Sequence, residues 1–328
     1  MSGIPKTFND AETASLLSLE LIRQARERIS PYVRETPIVA MTPTGLWLKA
    51  ENLHPVGAFK LRGAFNALLS LTADQRKRGV VAHSSGNHAQ AVAYAAHVLG
   101  VKSVVVMPGA VSRTKLEATR HWGAEIHLVD PAGRERVRAC AVLAEKHGYA
   151  VIEPFDSLAI MAGTGTIGLE ILEQCHEACA VVVPVSGGGL IGGIAAALAQ
   201  SGRDCRVIGV EPEFAADARE SLRTGKIVRV DPEQTMRTMA DGLRVPQLGA
   251  LPFAQIRAFV HDIVTVSEEQ IADAMRRVAR EARLIAEPSG AVAAAGALVL
   301  GLSSETTVAI LSGGNVDLDR YAAILGEG

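Results

Sequence analysis

The 328-residue chain is expected to be an α/β protein of two lobes, each built on a mainly parallel sheet flanked by helices. Three observations carry that expectation. Short β-branched runs alternate with amphipathic stretches along most of the length, the pattern of strands joined by helical crossovers. Ala180 to Val185 is an unbroken apolar run, as in strands buried on both faces. The length also exceeds what one core supports, since single cores stop growing near roughly 250–300 residues.

Taken in order, Val80-Val81-Ala82 reads as a strand that leads into a helix over Ala89–Leu99. Ser103–Met107 is a strand, and a basic helix follows over Ser112–Trp122. Glu125–Val129 is a strand, Arg134–His147 a helix closed by Gly148, and Ala150–Ile152 a strand. Pro154 to Thr166, irregular and glycine-bearing, is the expected crossing between lobes. The pattern resumes with Ala180–Val185, a helix over Ile191–Ala199, and strands at Val207–Val210 and Thr307–Leu311. Pro288 to Ser304 carries no charge and is mostly small residues. It is shorter than the roughly 18 apolar residues of a membrane span and reads as a buried helix.

Composition narrows the function classes. Lys+Arg total 33 against Asp+Glu 35, with the signs interspersed, so no basic surface for nucleic acid is expected. Cys140, Cys175, Cys179 and Cys205 lack paired metal-ligand spacing and read as reduced packing thiols of a cytoplasmic protein. Met1 to Asp10 is polar, without the apolar core of a signal peptide.

The chemistry is concentrated in four segments. Gly57-Ala58-Phe59-Lys60-Leu61-Arg62-Gly63-Ala64 sets a lysine beside a phenylalanine among small residues. Half-buried there, Lys60 would have a lowered pKa and an amine nucleophilic towards an aldehyde; the alternative is a surface lysine with its stem folded down. Ser186-Gly187-Gly188-Gly189-Leu190 joins a strand to a helix. Missing β-carbons there let backbone N–H groups close around a phosphate, although a tight turn would also use glycines. Ser84-Ser85-Gly86-Asn87-His88 lies at another strand-to-helix junction, where Asn87 can donate to a phenolate and the serines can hold a carboxylate. A plain serine helix cap is the alternative. Ser312, opening Ser312-Gly313-Gly314-Asn315 after an apolar strand, can face an aromatic ring nitrogen or simply make a turn. Ligands bind outside the carboxyl ends of strands in such sheets, where all three loops fall.

These motifs resemble those of the fold-type II (tryptophan synthase β-like) pyridoxal-phosphate enzymes of the serine/threonine dehydratase and serine racemase family. The likeness runs from about Leu19 to Asp317. It implies that Lys60 binds the cofactor covalently, that Phe59 and Asn87 flank its ring, that Ser186, Gly187, Gly188, Gly189 and Leu190 hold its phosphate, and that Ser312 meets the pyridine nitrogen. A neutral serine there leaves the ring a weaker electron sink, which suits elimination more than transamination. The resemblance also implies a large cofactor-binding domain of residues 1–78 plus 157–328, a small substrate-side domain of residues 79–156, and a homodimer. Ser84, Ser85, Asn87, His88 and Arg136 are the expected substrate contacts. A solvent-facing helix arginine is the alternative for Arg136.

Two details bear on the branch. Ser85 stands where biosynthetic threonine dehydratases usually have alanine, and in racemase-like members it resembles a second acid/base opposite the lysine. Glu211, Ala215 and Asp217 keep the spacing of the family's divalent-cation site, two carboxylates and a backbone carbonyl suited to magnesium or calcium. Solvated helix-start acids are the alternative. One departure is Val245, where some racemases have a serine, which leaves carboxylate recognition open. The C-terminal regulatory domain of long biosynthetic dehydratases is expected to be absent. The implied activity is dehydration and deamination of L-threonine or L-serine to a 2-oxo acid. A 3-hydroxyaspartate ammonia-lyase and a serine racemase are the alternatives, and a non-catalytic cofactor-binding module is a remote one.

Overall fold

A computed structural model describes residues 16–84, 86–109, 113–130, 135–302 and 306–326. The chain opens with helix α1 (Leu19–Ile29), whose first turn Ser18 caps by accepting from the Leu21 N–H. Strands β1 (Ile38–Ala40) and β2 (Trp47–Ala50) follow as an antiparallel pair with Ile38 opposite Lys49. Helix α2 (Lys60–Leu69) starts at the lysine itself.

The chain then builds a separate four-stranded sheet from β3 (Val80–His83), α3 (Asn87–Val98), β4 (Ser103–Pro108), α4 (Arg113–His121), β5 (Glu125–Val129), α5 (Glu135–His147) and β6 (Ala150–Val151). Its order is β5-β4-β3-β6, every pair parallel. Returning through α6 (Leu158–Gln174), it adds β7 (Ala180–Pro184), α7 (Gly189–Ala199), β8 (Arg206–Pro212), α8 (Asp217–Thr224), α9 (Ala250–Phe259), β9 (Asp262–Val266), α10 (Glu268–Arg277), α11 (Pro288–Val299), β10 (Thr307–Leu311) and α12 (Leu318–Gly326). These strands extend the first pair into a six-stranded sheet, β1-β2-β10-β7-β8-β9, parallel except at β1. The expected architecture of two mainly parallel sheets is therefore present.

Alternation divides the large sheet's side chains between two cores. Val181, Val183, Val308 and Ile310 pack with α7 and α9. Val182, Ala309 and Leu311 face α10, α11 and α12 on the other side. The uncharged run from Pro288 is the buried helix α11, ending at Val299; a β-carbon on Gly296 would strike the Val210 side chain. Among the described residues no helix is long and apolar enough to cross a membrane.

One expectation is corrected. Pro154 to Thr166 is not irregular throughout: only the stretch before Leu158 is, and α6 runs straight on to Gln174. Its glycines are contact points rather than breaks. A β-carbon on Gly163 would lie 2.6 Å from the Arg62 carbonyl oxygen, and one on Gly168 2.8 Å from Ala197 Cβ. Small residues at these positions let α6 nest against α2 and α7, which outweighs glycine's poor helix propensity of about 1 kcal/mol. Smaller differences lie at element ends: α3 starts at Asn87 and α7 at Gly189, so both loops run directly into their helices.

Candidate active site

Lys60 is half-buried, with Nζ donating to the Pro154 carbonyl at 2.7 Å. Burial alone lowers its ammonium to about 8, so a usable fraction of free amine exists near neutrality. Its helix is held from beneath. Arg62, two residues on and 1% exposed, donates Nε to Glu51 at 2.8 Å and Nη2 to Glu170 at 2.8 Å. Lys49, fully buried, donates to the same Glu170 and to the Thr36 carbonyl at 2.6 Å. Two cations thus meet two anions with their hydrogen bonds largely satisfied, which is how charge persists in a core.

The loops converge on this lysine. Phe59 N–H donates to the Ser312 carbonyl at 3.1 Å, and Ala58 bridges Gly313. Pro154, which receives Lys60, is followed by Phe155, whose ring lies where a β-carbon of Gly187 would be. Gly188 has φ +90°, a left-handed conformation that favours glycine, and a β-carbon there would come within 2.8 Å of Pro252. Beside it the Ser186 hydroxyl oxygen is buried with no hydrogen-bond partner. Ser312 is 5% exposed and reaches only the Ser289 carbonyl at 3.4 Å.

The second loop joins through Asn87. Its Oδ1 accepts from Asn315 Nδ2 at 2.8 Å, and its Nδ2 donates to Glu287 at 2.5 Å. Ser84 Oγ accepts from the Gly86 N–H at 3.3 Å. Ser85 lies outside the described residues. His88 is turned inward: Nε2 meets the Ile152 carbonyl at 3.0 Å, Nδ1 is buried without a partner, and burial, then Lys60, push it down to about 3. Arg136 sits on α5, partly exposed.

Glu211 and Asp217 are both fully buried, at the end of β8 and the start of α8, with buried Ala215 between them. They are not the solvated helix-start acids that such positions often carry. Glu211 accepts from the Ala218 and Arg219 N–H groups at 2.9 and 2.8 Å, while both Asp217 carboxylate oxygens are buried without partners. Burial raises Asp217 to about 7; burial and then Asp217 raise Glu211 well above the carboxylate range. Two adjacent buried acids, one with both oxygens unpartnered, fit a hard cation. Among the described residues no cluster of three or more His, Cys, Asp or Glu is present; the trio here holds two carboxylates.

Sequence reasoning missed Glu287 and the Lys49, Glu51 and Glu170 charges. Glu287 had a signal: it is the single acid immediately before a long uncharged run that opens with proline. Glu170 had a similar signal, a single acid after the uncharged run Ser157 to Leu169, whereas Lys49 and Glu51 have no local signature.

A lysine of lowered pKa, ringed by a partnerless serine on a glycine loop and loops at strand ends, defines an α/β enzyme class built to hold a phosphate-bearing aldehyde. The chain belongs to the family described as Pyridoxal-phosphate dependent enzyme, whose model matches residues 29–313. It is 39% identical over 315 residues to L-threo-3-hydroxyaspartate ammonia-lyase of Saccharomyces cerevisiae, covering 93% of this chain and 95% of that one. It is 38% identical to L-threonine ammonia-lyase of Thermotoga maritima, covering 95% of this chain and 79% of the relative. The structure of maize serine racemase superposes with a TM-score of 0.88 at 36% identity, covering 94% and 97% of the two chains. The fold is accordingly fold-type II, and the cofactor is pyridoxal phosphate.

Proposed function

We propose that the protein is an ammonia-lyase that dehydrates and deaminates L-threonine or L-serine to a 2-oxo acid. The observation that carries this reading is the meeting of Lys60, lowered to about 8, with the glycine loop whose Ser186 hydroxyl lacks a partner. Its ammonia-lyase relatives support the reaction class.

When bound, pyridoxal phosphate supplies a sink for the electrons left at the substrate's α-carbon. Lys60 would hold the cofactor, and its amine would take the substrate's α-proton. Ser186, Gly187, Gly188, Gly189 and Leu190 would bind the phosphate, Phe59 would pack on the ring, Asn87 would donate to the phenolic oxygen, and Ser312 would face the pyridine nitrogen. Backbone and hydroxyl groups of Ser84, Ser85, Asn87 and His88 would hold the substrate carboxylate. As the α-proton leaves, the β-hydroxyl departs as water, and hydrolysis of the resulting enamine gives the 2-oxo acid and ammonia. Arg136 would meet a second carboxylate, which makes 3-hydroxyaspartate the competing substrate.

Racemisation of serine is the second reading, favoured by the likeness to serine racemase. It requires a proton donor on the face opposite Lys60, the role we give Ser85. The proposal extends to a magnesium or calcium ion on Glu211, Ala215 and Asp217, and to a cytoplasmic homodimer whose cysteines are all free. It also takes residues 1–78 plus 157–328 as the cofactor-binding domain and residues 79–156 as the substrate-side domain, in keeping with the two sheets.

The test is a panel of β-hydroxy amino acids read by 2-oxo acid formation and by the chirality of what remains. Lys60→Ala should fold and lose turnover of every substrate. Near-normal 2-oxo acid production by that variant would sink the assignment. Ser85→Ala should suppress racemisation and D-serine turnover far more than L-threonine dehydration. Equal loss of both would remove the racemase reading.

A further inference from the structure

Glu287 lies against the site and the reaction above gives it no task. It is 4% exposed and precedes α11, yet its carboxylate does not cap that helix. The side chain instead faces the loop after β10: a β-carbon on Gly313 would collide with its Oε1. The same Oε1 accepts from Asn87 Nδ2 at 2.5 Å. At its other end Asn87 accepts from Asn315, which also donates to the Val56 carbonyl at 2.7 Å. The Asn87 amide is therefore clamped on both sides, with one N–H left over.

Three chain segments meet in that clamp, the starts of α3 and α11 and the loop after β10. The charges that face Glu287 are Asp241, in the turn Asp241–Leu243, and Lys115 on α4. Lys115 and Asp241 pair with each other, joining the four-stranded unit to the large sheet's side. The Gly242 N–H donates to Ser289 Oγ at 2.9 Å, which ties that turn to the first turn of α11.

We propose that Glu287 is a positioning residue whose protonation state sets how Asn87 meets the cofactor's phenolic oxygen. The inference deepens the cofactor reading above and rests on it. A neutral carboxyl is a modest acceptor for the Asn87 N–H, whereas a carboxylate makes a charge-assisted bond roughly twice as strong. Ionisation thus pulls the amide towards Glu287 and sets a negative charge beside the phenolic oxygen. Burial, and then Asp241, raise Glu287 to about 8, while Asn87 and Lys115 oppose the rise. The carboxyl is neutral below that pH and ionised above it.

The experiment follows the holoenzyme's visible absorbance, from lysine-bound pyridoxal phosphate, together with cofactor affinity across pH. In the wild type, affinity should fall on the order of tenfold as pH passes well beyond the Glu287 midpoint, the size of one charge-assisted hydrogen bond. In Glu287→Gln, which keeps an acceptor oxygen for Asn87, that transition should vanish while any Lys60 titration persists. Asp241→Asn should move the midpoint down and Lys115→Met should move it up. These opposite shifts distinguish Glu287 from Lys60, whose pKa is lowered by burial alone, and they carry the test if Glu287→Gln does not fold. An unchanged transition in Glu287→Gln, or midpoints unmoved by the two charge variants, would overturn the proposal. A wild type without lysine-bound absorbance would overturn the cofactor reading itself.

Discussion

Glu211 and Asp217 are the residues whose burial has the most direct consequence for stability. Both hold protons in the fold at pH values where the unfolded chain has lost them, since burial raises Asp217 to about 7 and lifts Glu211 well above the ordinary carboxylate range. With fewer protons bound by the unfolded state, stability falls as pH rises from the ordinary carboxylate range through about 7. A bound cation removes that dependence by compensating the charge. Chelated protein should therefore show a melting temperature that drops over this window, and added magnesium should restore it, more so at the upper end. A melting curve indifferent to chelator at every pH, with no metal by elemental analysis, would rule the cation out. Only half of this was legible beforehand. The spacing of Glu211, Ala215 and Asp217 is a local pattern, but their burial depends on β8 lying inside the sheet with α8 packed on its end, which no local pattern encodes.

At the scale of elements, α6 is the most informative. Its glycines look like breaks because glycine weakens an isolated helix, yet here they are the points where α2 and α7 come close. Gly163→Ala therefore reverses the usual sign. Alanine is the better helix former by about 1 kcal/mol, but its methyl would sit 2.6 Å from the Arg62 carbonyl oxygen, where only backbone can yield. Overpacking of this kind costs about 1–3 kcal/mol, so the net change should be a loss, seen as a lower denaturation midpoint. The same shift should displace Arg62 and the helix that presents Lys60, weakening cofactor affinity. A neutral or stabilising Gly163→Ala would mean that α6 can move away from α2 freely.

For the whole molecule, α2 is the joint. Leu61, Ala64, Phe65 and Leu68 from that helix pack in one cluster with Ile29 and Val33 on one side and Val80, Ala82, Ala91 and Ile152 of the smaller unit on the other. Phe65 is fully buried, stacked on Tyr32 with centroids 5.1 Å apart and edge-on to Tyr94 at 6.1 Å. Phe65→Ala should cost about 3–5 kcal/mol and Phe65→Leu clearly less. Because the cluster joins helices α1, α2 and α6 to the smaller sheet and its helix α3, the alanine variant should also broaden or split the unfolding transition. A single sharp transition with a loss below about 1 kcal/mol would show that the two units are not held through this core.

Motifs that act through their own backbone and side chains are readable in order along the chain. The lysine segment, the glycine loop after Val185 and the Ser84 and Ser312 loops each carry a local chemical reason: a β-carbon left out, a helix start, a strand end. The alternation of strands and helices, and the class of chemistry, therefore followed from the sequence by itself. Tertiary structure decided what depends on distant partners. It made α6 a helix through close approach to α2 and α7, and it buried His88 with Nε2 on the Ile152 carbonyl. It buried Arg62 between Glu51 and Glu170, and it set Glu287 against Asn87, 200 positions away in the chain. A charge in a sequence has no burial of its own; the packing around it decides whether it is solvated, paired or held neutral.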